Sequence, residues 1–425
     1  VTGNDGMVIV GAGDCGVRAA VALRDLGHVG PITLAGAERH HPYERPPLSK
    51  TTLDNSADPL PKYIVTPERL ATADIRLCTS VTAEAIDRTR KLLRLDDGSV
   101  LAYRKLLLAT GARPRPLPMA VGLARCVTLR TFDDALALRA HLRPGRRLAV
   151  VGGGFIGLEL AAMAREAGVD VTVIEALPRI LQRGVPPAIA AAIHARHMAA
   201  GVVIRCGHAI TSMVENETGL HITLADGDML MADIAVIGIG ALPNTALAEA
   251  AGLTIDNGIA VDDCLTTSDP DILAAGDCCS FPLALYGGRR VRLESWRNAQ
   301  EQGALAAGTM MGQHDAHRAV PWFWSDQYEL GLQIAGLADE AVDVVRRDLG
   351  PDAFLLFHLA ADGRLLAASG LGPGNTVARD IRLAEMLIAR RAHPPRDALA
   401  DPGVKLKSLV VAESPAARHL EGVVT

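Results

Sequence analysis

Gly11, Gly13 and Gly16 lie in the run Val8-Ile9-Val10-Gly11-Ala12-Gly13-Asp14-Cys15-Gly16. Gly152, Gly154 and Gly157 lie in Leu148-Ala149-Val150-Val151-Gly152-Gly153-Gly154-Phe155-Ile156-Gly157-Leu158-Glu159. Each glycine set follows a short apolar β-type run and opens a helix-type run. That pattern suits binding of a pyrophosphate. The first glycine permits the tight turn, the second lets phosphates approach the backbone, and the third lets helix and strand pack closely. The helix N-terminus then offers free N–H groups and partial positive charge to the anion. One such turn serves one dinucleotide. Two in one chain suggest two dinucleotides facing each other, as when a nicotinamide delivers a hydride to an isoalloxazine ring.

A carboxylate should end the second strand of each unit and hold a ribose hydroxyl. In the second unit Val171-Thr172-Val173-Ile174-Glu175 meets this requirement, and Glu175 would repel a 2′-phosphate, favouring NADH over NADPH. In the first unit the looser run Ile32-Thr33-Leu34-Ala35-Gly36-Ala37-Glu38 makes Glu38 the candidate for the adenosine ribose of FAD.

These turns need elements to hold them, and the 425 residues allow two or three domains. A composition 49% hydrophobic but 3% aromatic, with 41 glycines, suits an Ala/Val/Leu-packed α/β protein. The net charge of −5 argues against a general nucleic-acid binder. No unbroken apolar run is long enough to span a bilayer, and no signal-peptide pattern precedes the strand near Met7, so a cytoplasmic protein is expected. The seven cysteines include only one adjacent pair, Cys278-Cys279, and no C-x-x-C, which argues against disulfide reduction beside a flavin. His194/His197 and His314/His317 are spaced i, i+3 but lack a third ligand, so no metal is expected.

Along the chain, residues 7–35 read β-α-β, and residues 40–62 read as a long polar, Pro-rich loop. Lys105 to Gly111 is a buried strand ending in a turn, followed by a Pro-rich linker. The second Rossmann unit runs from Arg146 to Gly240, with a hairpin at Asp226-Gly227. Asp271 to Asp277 returns the chain to the first domain, so the second is an insertion. From about Pro321 three strands (342–345, 354–359, 365–370) and a helix (378–391) form an α+β domain. The expected fold is two Rossmann-type dinucleotide-binding domains of glutathione-reductase-like arrangement plus a C-terminal α+β domain. The expected boundaries are 1–113 with 244–320 for FAD, 114–243 for NAD, and 321–425.

Other segments carry a family resemblance. Pro42-Tyr43-Glu44-Arg45-Pro46-Pro47-Leu48-Ser49-Lys50 resembles the loop after the second strand in oxygenase-coupled ferredoxin reductases, where Pro-Leu-Ser-Lys replaces the redox disulfide of the wider superfamily. Similar to that family too are Thr110–Arg115, Leu129-Arg130-Thr131, Ala274-Ala275-Gly276-Asp277, Glu294–Gln300 and Trp322–Gln327. Together they cover nearly the whole chain in order.

The resemblance implies an NADH:ferredoxin reductase that passes a hydride to FAD and single electrons to a [2Fe–2S] ferredoxin. That ferredoxin would feed a Rieske oxygenase or cytochrome P450. It implies that Asp277, after Gly276, bonds the ribityl chain, and that Arg45, Lys50 and Arg130 are flavin-binding cations. Ala109, Thr110 and Gly111 would offer backbone contacts, with Val81 by the adenine. Glu294 and Ser295 lead to Trp296, which with Trp324 would neighbour the isoalloxazine. Gly152, Gly154, Phe155, Ile156, Gly157, Glu159, Glu175 and Gly240 would serve NAD. Lys50 and Glu159 are expected as a pair near the hydride path, acting by charge and position.

A basic docking face would use Arg289, Arg290, Arg292 and Arg297, or Arg346 and Arg347, unless these arginines are simply scattered. A monomer or weak homodimer is expected, with no membrane or nucleic-acid partner. The alternatives are another acceptor (rubredoxin, quinone, oxygen) or a flavoprotein resembling the apoptosis-inducing type. Two departures stand out. Ala37 replaces an expected acid, and Asp14-Cys15 replaces an uncharged pair, placing a carboxylate beside a pyrophosphate unless Asp14 points to solvent.

Overall fold

The computed structural model describes residues 6–54 and 58–412. They gather into two compact units: one from residues 6–46, 60–113 and 241–319, the other from 47–54, 58–59, 114–240 and 320–412.

The first unit is built on a five-stranded parallel sheet. Its strand order is Ile272–Ala274, Lys105–Leu108, Met7–Val10, Ile32–Ala35, Ile75–Cys78. The three inner strands are buried along their length except at Lys105, which opens its strand, as mainly apolar runs covered on both faces require. Helix Asp14–Asp25 makes the crossover, and helix Trp296–Met310 packs against it. The approach is close. A Cβ at Gly303 would lie 2.4 Å from the Cys15 carbonyl oxygen, so only glycine fits there. The strand Ile272–Ala274 does return the chain to this sheet.

The second unit holds another five-stranded parallel sheet. Its order is Val203–Cys206, Asp170–Glu175, Arg147–Val151, Ile234–Ile237, Cys126–Val127. Helices Phe155–Glu166 and Pro187–Ala199 accompany it. Three antiparallel strands, Ile210–Asn216, Gly219–Leu224 and Met229–Ala232, place the Asp226-Gly227 turn where the alternation indicates. A five-stranded antiparallel sheet follows, in the order Trp322–Gln327, Leu330–Gly336, Leu365–Pro373, Ala353–Leu359, Asp343–Gly350, with helix Ala378–Ala389 against it.

Two of these strands, Trp322–Gln327 and Leu330–Gly336, are absent from the sequence reading. The reason is physical. In Trp322–Gln327 the two buried positions are polar, Ser325 and Gln327, while Trp322, Phe323 and Trp324 stay partly exposed. The pattern that marks a half-buried strand is therefore inverted.

Candidate active site

In the first unit the phosphate turn has the geometry its glycines predict. Gly11 has φ +113°, and a Cβ there would lie 2.0 Å from the Ala109 carbonyl oxygen. A Cβ at Gly16 would lie 1.9 Å from the Gly11 oxygen. Beside Gly13, the N-cap of helix Asp14–Asp25, a Cβ would meet nothing within 4 Å. The backbone is thus shut on the protein side and open where a phosphate must come.

Asp14 departs from expectation. Its Oδ1 is buried and lacks a hydrogen-bond partner, and the carboxyl is pushed up to about 6, by burial first and by Glu44 second. It therefore turns away from solvent. Cys15 is also buried, and burial holds its thiol well above the ordinary range, which keeps it protonated and unreactive.

Glu38 accepts hydrogen bonds from the Tyr43 hydroxyl and, at 2.7 Å, from the Arg45 guanidinium. Arg45 is itself held high mainly by Glu38 and Tyr43 against the cost of its burial, with Asp277 contributing. Val81 donates its amide to Gly36 at 3.1 Å, and Ala109 donates to Val10 at 2.8 Å. Thr110 and Asn244 bond reciprocally: hydroxyl to carbonyl at 2.7 Å, amide to carbonyl at 2.8 Å. Gly111 and Gly276 adopt positive φ, and the Gly276 amide donates to Gln302 at 2.7 Å. Ser295 caps the helix that begins at Trp296, and Glu294 pairs with Arg292.

The second unit repeats the turn. Gly152 has φ +110°, and a Cβ would lie 2.4 Å from the Gly238 oxygen; beside Gly154 the space is open. A Cβ at Gly157 would lie 2.5 Å from the Gly152 oxygen. Phe155 meets Phe323 edge-on at 4.8 Å, Ile156 is exposed, and Gly240 adopts positive φ. Glu175 ends its strand with both oxygens engaged, accepting from the Gly153 amide at 2.7 Å and the Leu177 amide at 2.8 Å. Arg130 donates its amide to Asp134 at the start of the capping box of helix Phe132–Arg139.

Within this unit the structure also gathers a charged cluster. Glu159, 7% exposed, projects from helix Phe155–Glu166. The Ser49 hydroxyl donates to its Oε2 and the Ser325 hydroxyl to its Oε1, each at 2.6 Å. Lys50 Nζ stands 3.6 Å from Glu159 and 2.6 Å from Asp326, and 5.4 Å from the centre of the Trp324 ring. Trp324 stacks on Trp322 at 5.4 Å. Burial pushes the Glu159 carboxyl above the ordinary range, with Asp326 adding to the rise, and Lys50, Ser325 and Ser49 pull against it without cancelling it.

Lys50 and Glu159 are thus brought together. Sequence reasoning missed Ser49, Ser325 and Asp326 as their partners, although all three lie in segments already notable for their resemblance. A buried carboxylate facing a lysine can hold that cation in place. It can also limit its net charge.

Of the arginines considered for docking, Arg347 cannot take part. It is 3% exposed, and its guanidinium donates to the carbonyls of Ala398, Leu399, Asp401, Pro402 and Val404. Among the described residues no helix is long and apolar enough to cross a membrane.

Residues 6–303 match the pyridine nucleotide-disulphide oxidoreductase family, and residues 322–410 match the reductase C-terminal family. The chain is 43% identical to the ferredoxin–NAD(+) reductase component of the anthranilate 1,2-dioxygenase system of Burkholderia cepacia, covering 96% of this chain and 99% of that protein. It is 40% identical to putidaredoxin reductase of Pseudomonas putida, covering 96% and 97%. A crystal structure of the covalent putidaredoxin reductase–putidaredoxin complex superposes with a TM-score of 0.91 at 39% identity, covering 97% of this chain and 99% of that one. The ferredoxin reductase for the CYP199A2 system from Rhodopseudomonas palustris gives 0.91 at 36% identity, covering 96% and 100%. The open glycine turns fit two dinucleotides, and the chain belongs to the pyridine nucleotide-disulphide oxidoreductase family, in its oxygenase-coupled ferredoxin reductase branch, with FAD and NADH as its cofactors.

Proposed function

We propose that this chain oxidises NADH and delivers the electrons one at a time to a small [2Fe–2S] ferredoxin, which feeds a Rieske oxygenase or a cytochrome P450. The carrying observation is the Lys50–Glu159–Asp326 cluster: a lysine held by carboxylates ends the Pro-Leu-Ser-Lys segment, which by resemblance replaces the thiol pair of a disulfide reductase. Bound FAD supplies the interface between a two-electron donor and a one-electron acceptor.

The residues share the remaining work. Gly11, Gly13 and Gly16 admit the FAD pyrophosphate, and Arg45, tied to Glu38, supplies positive charge. In this reading Asp277 takes the ribityl hydroxyls. Ala109, Thr110, Gly111 and Gly276 offer backbone, and Val81 packs by the adenine. Glu294 and Ser295 lead into Trp296, which with Trp324 and Arg130 lies toward the ring. Gly152, Gly154 and Gly157 admit the NADH pyrophosphate, Glu175 takes the ribose diol, and Phe155, Ile156 and Gly240 line the nicotinamide approach. Lys50 stabilises negative charge at the ring after hydride transfer, and Glu159 holds Lys50 there. No protein base is needed, because the hydride moves without a proton.

The domains assigned to these tasks are 1–113 with 244–320 for FAD, 114–243 for NADH and 321–425 as the C-terminal domain. We place the protein in the cytoplasm as a monomer or weak homodimer. Anaerobic titration of the FAD-loaded protein tests the first half-reaction. One equivalent of NADH should bleach the flavin and NADPH should do so far more slowly; no bleaching by NADH would overturn the reading.

A further inference from the structure

We propose that His197 and Gln327 are positioning residues for Glu159, through a one-directional hydrogen-bond chain that favours the charged form of this carboxylate against its burial and so keeps Lys50 in place. The inference rests on the function proposed above for Lys50 and Glu159.

The chain lies within one unit. His197 Nε2 and Gln327 Oε1 are 2.9 Å apart, Gln327 Nε2 donates to Ser325 Oγ at 2.9 Å, and Ser325 Oγ donates to Glu159 Oε1 at 2.6 Å. All four side chains are buried, His197, Ser325 and Gln327 completely. Each link fixes the next. An amide oxygen only accepts, so His197 Nε2 carries a proton. The Gln327 NH2 group then faces Ser325 and occupies its lone pair, which leaves the Ser325 proton for Glu159. Ser49 donates to the other carboxylate oxygen. Both serine contacts, at 2.6 Å, fall in the range of charge-assisted O–H···O⁻ bonds. Every donor points at Glu159, as a carboxylate requires and a carboxylic acid does not.

The far end is sealed as well. His197 Nδ1 is buried with no hydrogen-bond partner, so a second proton there would be an unpaired charge. Burial and the neighbouring Arg196 and His194 lower the imidazole pKa against the pull of Gln327, which keeps the ring neutral. Tyr328 packs edge-on at 5.0 Å and closes that side. The charged groups facing Glu159 are Lys50 and Asp326. A neutral, singly oriented histidine thus polarises Gln327 and Ser325 toward the carboxylate without adding charge.

The test uses the FAD-loaded protein and the variants Gln327→Leu, His197→Phe and His197→Gln, the last retaining an N–H donor. Two quantities are followed against pH: the flavin midpoint potential and the rate of flavin bleaching by NADH. In Gln327→Leu and His197→Phe the transition assigned to Glu159 should move to higher pH by about one unit, a tenfold change in proton affinity. The KM for NADH should stay unchanged, and His197→Gln should restore the parent profile. Profiles that superimpose on the parent's would overturn the proposal.

A measurement on the parent protein stands apart from variant folding. The 15N shifts of the His197 ring should report a neutral Nε2–H tautomer at neutral pH, and an Nδ1–H tautomer or an imidazolium would also overturn it. Bleaching by NADH does not depend on the electron acceptor. A failure to reduce ferredoxin would therefore strike the proposed function and leave this chain standing.

Discussion

The backbone amide of Gly153 donates to the carboxylate of Glu175 at 2.7 Å, which locks the end of one strand to the phosphate turn at the end of its neighbour. Glu175 is therefore built into the turn. In the proposed NADH site this carboxylate is held in place by backbone amides, where its charge would face a 2′-phosphate. Glu175→Ala should raise the KM for NADH by roughly tenfold to a hundredfold, the loss expected for charge-assisted hydrogen bonds of about 1.5–3 kcal/mol. The ratio of kcat/KM for NADPH to that for NADH should rise. Steady-state kinetics with both nucleotides decides, and an unchanged ratio would remove Glu175 from cofactor selection.

Lys50→Met removes the cation held between Glu159 and Asp326. Flavin bleaching by NADH should slow by on the order of a hundredfold, the usual loss for one preorganised electrostatic contact, or the flavin potential should fall. Stopped-flow reduction and spectroelectrochemistry measure the two, and parent-like values of both would contradict the role given to Lys50.

Asp14 gives a pH-dependent stability. Its folded pKa, about 6, lies above the ordinary 3.8, so the folded protein binds this proton more tightly than the unfolded chain. The stabilising effect is complete below the unfolded pKa and is lost as pH rises through the folded one, leaving the ionised group as a burden above pH 6. Asp14→Asn should therefore stabilise the protein at pH 8 by up to about 3 kcal/mol. The advantage should shrink toward pH 5. Thermal melts of parent and variant across that range should diverge with rising pH; parallel curves would refute the assignment.

Arg347 is a structural cation. Its carbonyl partners all lie between residues 398 and 404, so it ties that segment to strand Asp343–Gly350. Arg347→Ala should cost about 3 kcal/mol in urea denaturation, because it strands several buried acceptors. Arg347→Lys should recover little, since an ammonium cannot reproduce the fork. The exposed neighbour Arg346, paired with Asp348, should be nearly silent when changed to Ala.

What could be read from the residues depended on how local the signal was. Met7–Val10, Leu106–Leu108 and Ile234–Ile237 are continuous apolar runs buried on both faces, and the glycine turns sit directly after strands, so both were visible. Strand Trp322–Gln327 hid because its inward positions are Ser325 and Gln327. The partners of Glu159 hid for a different reason. Ser49 lies 110 residues away and Ser325 lies 166 residues away, and no local pattern couples a serine to a distant carboxylate. Asp14 was noticed as a misfit, yet whether it faces water or protein depends on Glu44, Gln300 and Trp296 packed around it. Arg346 and Arg347 look alike in sequence, and alternation along one strand sends the first outward and the second in.

One-electron delivery to a ferredoxin is read by NADH-dependent cytochrome c reduction. The FAD-loaded protein is assayed with and without an added [2Fe–2S] ferredoxin. A large ferredoxin-dependent rise is expected with NADH and a much smaller one with NADPH. No rise with any of several ferredoxins, while NADH still bleaches the flavin, would contradict it and point to a different acceptor.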